Sequence, residues 1–167
     1  MSELQKMLQA NEGFVADFDR GGLQIPPARG VAILTCIDAR IDPAKALGID
    51  IGDAHVLRNA GGRASDDAIR SLTISSWLLG TREFAIIHHT DCGMTMFTDD
   101  VLRDKIRNEK GVDVGDTAFL TFSDLDQSVR DDVETIRSLE SLPADVSISG
   151  YVYDVRTGAI REVVPTR

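Results

Sequence analysis

Val-Ala-Ile-Leu-Thr-Cys, residues 31–36, is a short and almost continuous apolar run. Such a run predicts a strand that is buried on both faces, as in a parallel sheet. Phe-Ala-Ile-Ile-His, residues 84–88, follows Gly80 and predicts a second buried strand, which leads into a loop at 91–93. Residues 55–58 are a third, shorter candidate. We therefore expect a sheet in which these strands run parallel.

Helical patterns lie before, between and after these strands, because apolar residues recur there at the spacing of one helix face. The predicted helices cover residues 2–19, 66–79, 94–108 and 124–140. Gly21 and Gly22 are expected to end the first helix, and Gly80 the second. Ser123 is the expected N-cap of the last helix.

The end of the chain has the pattern of a β-hairpin. The runs 147–153 and 159–164 flank a turn at 154–158. Together with the alternation of strands and helices, this pattern predicts an α/β fold. We expect a three-layer domain with a mostly parallel central β-sheet flanked by helices and the hairpin at one edge. Residues 1–167 are expected to form this single domain.

Composition and charge argue against several classes of function. The net charge of −9 disfavours a nucleic-acid partner, whose phosphates bind clustered Lys and Arg. No apolar run approaches the roughly 18 residues of a membrane span. Residues 1–14 mix charged and amide side chains with apolar ones, unlike a signal peptide. We therefore expect a cytoplasmic protein with neither a nucleic-acid nor a membrane partner.

The two cysteines stand where a parallel sheet gathers its functional residues. Cys36 ends the first predicted strand, and His89 and Cys92 follow the strand at 84–88. If the two strands are neighbours, their ends lie about 5 Å apart. Two thiolates and one imidazole are zinc ligands, and a fourth position left open is the catalytic arrangement. Strand alternation directs His88 away from His89, so only one of them is expected to bind metal.

Other roles for these residues stay open at this point. A lone cysteine at the end of a buried strand is often a small core residue. A disulfide between Cys36 and Cys92 is conceivable, although two cysteines in a reducing compartment favour other roles. A metal-free enzyme would use Cys92 as its nucleophile and His89 as its base. His55 is expected to be a strand residue with a satisfied hydrogen bond.

Three motifs in this order resemble the zinc site of β-class carbonic anhydrases. They are Cys-x-Asp-x-Arg at 36–40, Arg-Asn-Ala-Gly at 58–61 and His-x-x-Cys at 89–92, with Gly93 directly after. The resemblance covers about residues 30–107. The compact length of the chain and the sequence His-His-Thr-Asp-Cys-Gly-Met at 88–94 resemble a short bacterial subgroup of that family.

The resemblance implies a carbonic anhydrase, a lyase that reversibly hydrates carbon dioxide to bicarbonate and a proton. Cys36, His89 and Cys92 would bind one Zn²⁺ per subunit. Asp38 and Arg40 would be the catalytic dyad that orients zinc-bound hydroxide. Relatives of this subgroup hydrolyse carbonyl sulfide or carbon disulfide with the same ligands, which is the alternative substrate class. A zinc- or bicarbonate-binding protein without turnover is a further alternative.

The resemblance also implies an assembly and a pocket. Family members form homodimers or higher homo-oligomers, with the site at the interface. Residues 1–25 would be an N-terminal helical arm that packs on the partner subunit. The residues assigned to the substrate pocket are Asn59, Ala60, Gly61 and Gly93.

Overall fold

The computed structural model describes residues 1–167 and contains one five-stranded sheet. Its strands are β1 (Val31–Cys36), β2 (Ala54–Asn59), β3 (Glu83–His89), β4 (Ser147–Tyr153) and β5 (Ile160–Val164). The strand order is β2-β1-β3-β4-β5. The first four strands pair in parallel, and β5 pairs antiparallel to β4. The predicted parallel sheet and its C-terminal hairpin are confirmed.

Five helices accompany the sheet. They are α1 (Glu3–Ala16), α2 (Pro43–Leu47), α3 (Asp66–Leu79), α4 (Asp99–Lys110) and α5 (Leu125–Arg137). The main core joins α3 and α5 to one face of β1, β3 and β4. On the opposite face, residues of α2 line a small apolar pocket with Ile33 and Ile87. The three-layer α/β expectation is confirmed.

Strand alternation decides which residues enter the main core. Ala32 and Leu34 of β1 lie opposite Phe84 and Ile86 of β3, and all four are fully buried. Gly150 of β4 follows this register, and a Cβ there would lie only 2.5 Å from a side-chain carbon of α5. A glycine at this point therefore allows α5 to pack closely on the sheet.

Several helix ends differ from the sequence prediction. α1 ends at Ala16, well before Gly21 and Gly22. Its C-cap is Asp17, whose N–H donates to carbonyl oxygens of the last turn. α4 begins only after Thr98, whose hydroxyl accepts from Val101, so residues 94–98 are not part of it. The N-cap of α5 is Asp124 instead of Ser123, because the Asp124 carboxylate accepts the Gln127 N–H. The short helix α2 was not predicted, since five residues give little periodicity.

Helix α1 stands apart from the rest of the chain. Its N-terminus is fixed by a capping box at Ser2 and Gln5, yet none of its residues is buried. Leu4, Met7 and Leu8 are each more than 60% exposed. The helix therefore carries an apolar surface that its own subunit leaves uncovered. No helix of the chain is long and apolar enough to cross a bilayer.

Candidate metal centre

The sheet topology brings the cysteines and the histidine together. β1 and β3 are direct neighbours, with Thr35 opposite Ile87, so Cys36 ends beside the start of the loop that carries Cys92. The two sulfurs and one ring nitrogen of Cys36, His89 and Cys92 lie within 4.8 Å of one another. All three residues are buried. The expected convergence is therefore present, and both cysteines are free thiols without a disulfide.

The His89 ring is oriented to offer one lone pair to this cluster. Its Nδ1 lies 2.9 Å from the Thr90 carbonyl oxygen, which can only accept, so Nδ1 carries the hydrogen. Its Nε2 is buried and has no hydrogen-bond partner. A buried nitrogen without a partner is costly unless another ligand satisfies it. This is the arrangement expected of a histidine that binds a metal through Nε2.

The two thiols have opposite acid–base character. A hydrogen bond from the Cys92 thiol lowers the pKa of Cys36 far enough to outweigh burial, and His89 and the Gly61 N–H help. The Cys36 thiolate in turn raises the pKa of Cys92. Burial lowers the pKa of His89, but the neighbouring Cys36 thiolate raises it. The net shift of the His89 pKa is upward. Without a cation, Cys92 is thus the poorer nucleophile of the two cysteines, which disfavours a metal-free enzyme that uses Cys92 in that role.

The two residues predicted to form the dyad, Asp38 and Arg40, meet at the edge of the cluster. Arg40 donates to both carboxylate oxygens of Asp38, from Nε at 2.9 Å and from Nη2 at 2.7 Å. These bonds lower the pKa of Asp38 well below its usual range, so its carboxylate is ionised. Asp38 Oδ2 lies 3.9 Å from His89 Nε2. An oriented negative charge therefore stands directly beside the three candidate ligands.

Arg40 has a second carboxylate partner that the sequence did not reveal. Its Nη1 donates to Asp91 Oδ2 at 2.7 Å and its Nη2 donates to the Asp91 carbonyl at 2.8 Å. Asp91 has a φ of 55°, in the left-handed region that Asp tolerates better than most residues. Asp91 lies inside the quoted His-Thr-Asp-Cys motif, but 51 residues separate it from Arg40, so no local pattern could pair them.

The motif at 58–61 supports the cluster from behind. Arg58 donates to the carbonyl oxygens of Cys36 and Asp38, at 2.8 and 2.7 Å. The Gly61 N–H donates to Cys36 Sγ at 3.3 Å. The Asn59 side chain makes two hydrogen bonds with the backbone of Arg63. Its Nδ2 donates to the Arg63 carbonyl and its Oδ1 accepts from the Arg63 N–H, both at 2.7 Å. Asn59 thus shapes the turn that holds Gly61 through backbone contacts.

The other two histidines lie outside the cluster. His55 Nδ1 is 2.6 Å from Ser75 Oγ, which agrees with the expected satisfied strand residue. His88 points to the opposite face from His89, as expected, and is fully buried between Ser128, Gly62 and Asp132. Only His89 of the three histidines joins the two cysteines.

The fold and the site together define a class of protein. The family model described as carbonic anhydrase matches residues 31–114, which include the three motifs. The chain belongs to the β-class carbonic anhydrases. It is 41% identical to β-carbonic anhydrase 1 of Mycobacterium tuberculosis over 165 residues, which cover 99% of this chain and 100% of that protein.

Two further similarities bear on function. The crystal structure of a carbonic anhydrase from Streptococcus mutans superimposes with a TM-score of 0.93, at 45% identity and 98% coverage of each chain. A carbon disulfide hydrolase from Saccharolobus solfataricus is 38% identical, over 83% of this chain and 79% of that protein. The family resemblance is therefore confirmed, and both expected substrate classes occur among its relatives.

Proposed function

We propose that the chain binds one zinc ion through Cys36, His89 and Cys92 and hydrates carbon dioxide. The observation that carries this proposal is the buried triangle of two sulfurs and an unpartnered His89 Nε2 within 4.8 Å. Atoms this close together suit one shared ion, since zinc binds sulfur at about 2.3 Å and nitrogen at about 2.0 Å. Zinc lowers the pKa of bound water toward neutrality and so supplies hydroxide.

The chain's own residues would orient the reacting oxygen. Asp38 is ionised and stands 3.9 Å from His89 Nε2, so its carboxylate can accept a hydrogen bond from the attacking oxygen. Arg40 fixes the plane of that carboxylate by a bidentate contact, and Asp91 fixes Arg40. A rigid acceptor costs no reorganisation when the substrate arrives.

We place the substrate pocket along the turn at 59–61 and at Gly93, as the motifs predict. The contacts of Asn59 with the backbone of Arg63 give it a supporting part in this pocket. Gly93 leaves open space where a side chain would stand, since a Cβ there meets nothing within 4 Å. A small linear substrate needs no more than such backbone-lined room.

Hydrolysis of carbon disulfide or carbonyl sulfide is the second candidate. The relative of that name is 38% identical, and the three ligands do not distinguish these linear substrates from carbon dioxide. The structure of the Streptococcus mutans carbonic anhydrase superimposes with a TM-score of 0.93 at 45% identity, whereas that of a carbon disulfide hydrolase gives 0.74 at 30% identity. This difference favours carbon dioxide.

Metal analysis together with two assays tests the proposal. The purified wild type should contain about one zinc per chain and hydrate carbon dioxide faster than it releases hydrogen sulfide from carbon disulfide. Cys92→Ser and His89→Gln should lose the metal and both activities. His55→Gln is the matched control, because His55 is a bonded histidine outside the cluster. Equal zinc in Cys92→Ser and the wild type would contradict the zinc site.

We also propose that the chain assembles as a homodimer or higher homo-oligomer through residues 1–25. The apolar side chains of α1 are exposed on the isolated subunit, which is the expected state of an arm that packs on a second copy. A variant that lacks residues 1–20 should be monomeric in light scattering at concentrations where the full chain is not. A full chain that is monomeric throughout would contradict this proposal.

A further inference from the structure

A buried ion-pair cluster lies directly behind the metal centre. Arg63 donates from Nε to Asp132 Oδ2 at 2.7 Å and from Nη2 to Oδ1 at 3.1 Å. His88 Nε2 lies 3.1 Å from the same carboxylate. The side chains of Arg63, Asp132 and His88 are only 13%, 6% and 0% exposed. We call these three residues the buried brace.

Burying such charges is unfavourable unless their partners are well placed, so this cluster requires an explanation. The carboxylate receives both arms of the guanidinium, and Arg63 Nη1 also donates to the Leu120 carbonyl at 2.7 Å. Burial raises the pKa of Asp132, but the bonds from His88 and Arg63 outweigh it and hold the pKa below its ordinary value. The brace is therefore an ionised and fully bonded connection between α5 and the turn after β2.

The brace and Asn59 hold that turn from both sides. His88 Nε2 faces two acceptors, the Asp132 carboxylate and the Gly62 carbonyl at 3.2 Å, so it carries the hydrogen and donates. Asn59 fixes the backbone of Arg63 while Asp132 fixes its side chain. The intervening Gly61 and Gly62 adopt φ values of 83° and 70°. This pair of left-handed glycines is thus held in place at the Gly62 carbonyl and at Arg63, the residue that follows it.

The turn presents one group to the metal centre. The Gly61 N–H donates to Cys36 Sγ at 3.3 Å. Two thiolates already cancel the formal charge of a divalent cation, so a hydrogen bond that weakens one sulfur donor leaves more positive charge on the ion. The direction of the Gly61 N–H depends on where Gly62 and Arg63 are held.

We propose that Arg63, Asp132 and His88 are positioning residues that aim the Gly61 N–H at Cys36 and thereby set how strongly this thiolate binds the ion. The inference rests on the zinc site of the proposed function, but not on carbon dioxide as its substrate. None of the three residues contacts the reacting atoms. Their effect passes through the turn at 59–63.

Metal binding measures this effect without catalysis. Asp132→Asn keeps the shape of the carboxylate but weakens its hold on Arg63. We expect zinc to dissociate about fivefold more slowly from this variant, because a sulfur that has lost the hydrogen bond of the Gly61 N–H is the stronger donor. In the cobalt(II)-substituted protein, loss of the N–H···S bond should move the sulfur-to-metal charge-transfer band to longer wavelength. A structural role that leaves the sulfur unchanged would not move this band.

Asp126→Asn is the matched control. Asp126 lies on the same helix and also pairs with an arginine, but that partner is Arg161 on β5, away from the turn. This control should keep the wild-type band and dissociation rate. If Asp132→Asn fails to fold, the double variant Arg63→Met/Asp132→Leu removes both charges together and should show the same shift.

The outcomes separate the inference from the function on which it rests. A folded Asp132→Asn, or the double variant in its place, with the wild-type band and dissociation rate would overturn the brace. A wild type that binds cobalt but hydrates no carbon dioxide would overturn only the proposed activity. A wild type that binds neither zinc nor cobalt would overturn the metal site and this inference together.

Discussion

Gly62→Ala should be far more damaging than the same change at another left-handed glycine. Gly62 has a φ of 70°, and a Cβ there would lie 3.0 Å from the Thr35 carbonyl carbon, 3.1 Å from the Cys36 nitrogen and 3.2 Å from the Ile87 oxygen. All three contacts are backbone atoms of β1 and β3, which cannot rotate away as a side chain can. To make room for the Cβ, either the turn must move away from the sheet or the ends of β1 and β3 must move apart.

Gly48→Ala provides the reference, because Gly48 has a φ of 61° and a Cβ there meets nothing within 4 Å. Both variants incur the left-handed penalty of about 1–2 kcal/mol. Overpacking against a rigid backbone adds about 1–3 kcal/mol at Gly62 alone. For a domain of this size that difference corresponds to a gap of roughly 2–12 °C in melting temperature.

Thermal unfolding with chelator and with excess zinc, at one protein concentration, measures both parts of this prediction. The gap between the two variants should appear already with chelator. Zinc should stabilise Gly62→Ala less than Gly48→Ala, because the displaced strand ends carry the proposed ligands. Each tenfold loss of zinc affinity removes about 1.4 kcal/mol of this stabilisation. Equal melting temperatures and equal zinc responses in the two variants would refute the close-packing argument.

Three further outcomes are expected. Gly150→Ala places a Cβ 2.5 Å from Val129 Cγ1, so the urea midpoint should fall by an amount equivalent to about 1–3 kcal/mol. The zinc content should stay near one per chain, and a loss of zinc would contradict a purely packing effect. Because the pKa of Asp132 is lowered in the fold, its contribution to stability is complete above about pH 4 and is lost as the pH falls further; acid titrations of the wild type and Asp132→Asn should differ there and run parallel above it. Asp91→Asn should reduce kcat by less than about tenfold and leave the zinc content unchanged, because asparagine also tolerates the left-handed backbone. The effect should vanish in the Arg40→Ala background. An undiminished effect in that background would show that Asp91 does not act through Arg40.

Local patterns in the sequence determined the elements of this fold. The apolar run at 31–36 predicted β1 with its observed bounds, and the spacing from 66 to 79 predicted α3 in the same way. Periodicity is a property of neighbouring residues, so it is visible without the fold. Apart from the short helix α2, which was not predicted, the errors fell at helix ends, where a single side-chain hydrogen bond decides the boundary, as at Asp124 and Thr98.

The sequence also predicted the candidate metal ligands, but not the residues that contact and position them. The motifs at 36–40 and 89–92 indicated the zinc chemistry, and the strand order confirmed that they meet. Arg40 with Asp91, and Arg63 with Asp132, are 51 and 69 residues apart, and no local spacing links them. Such contacts exist only because adjacent parallel strands and one helix bring distant segments to the same point. The identity of the proposed metal ligands could therefore be predicted from the chain, whereas the groups that contact and position these side chains were decided by tertiary packing alone.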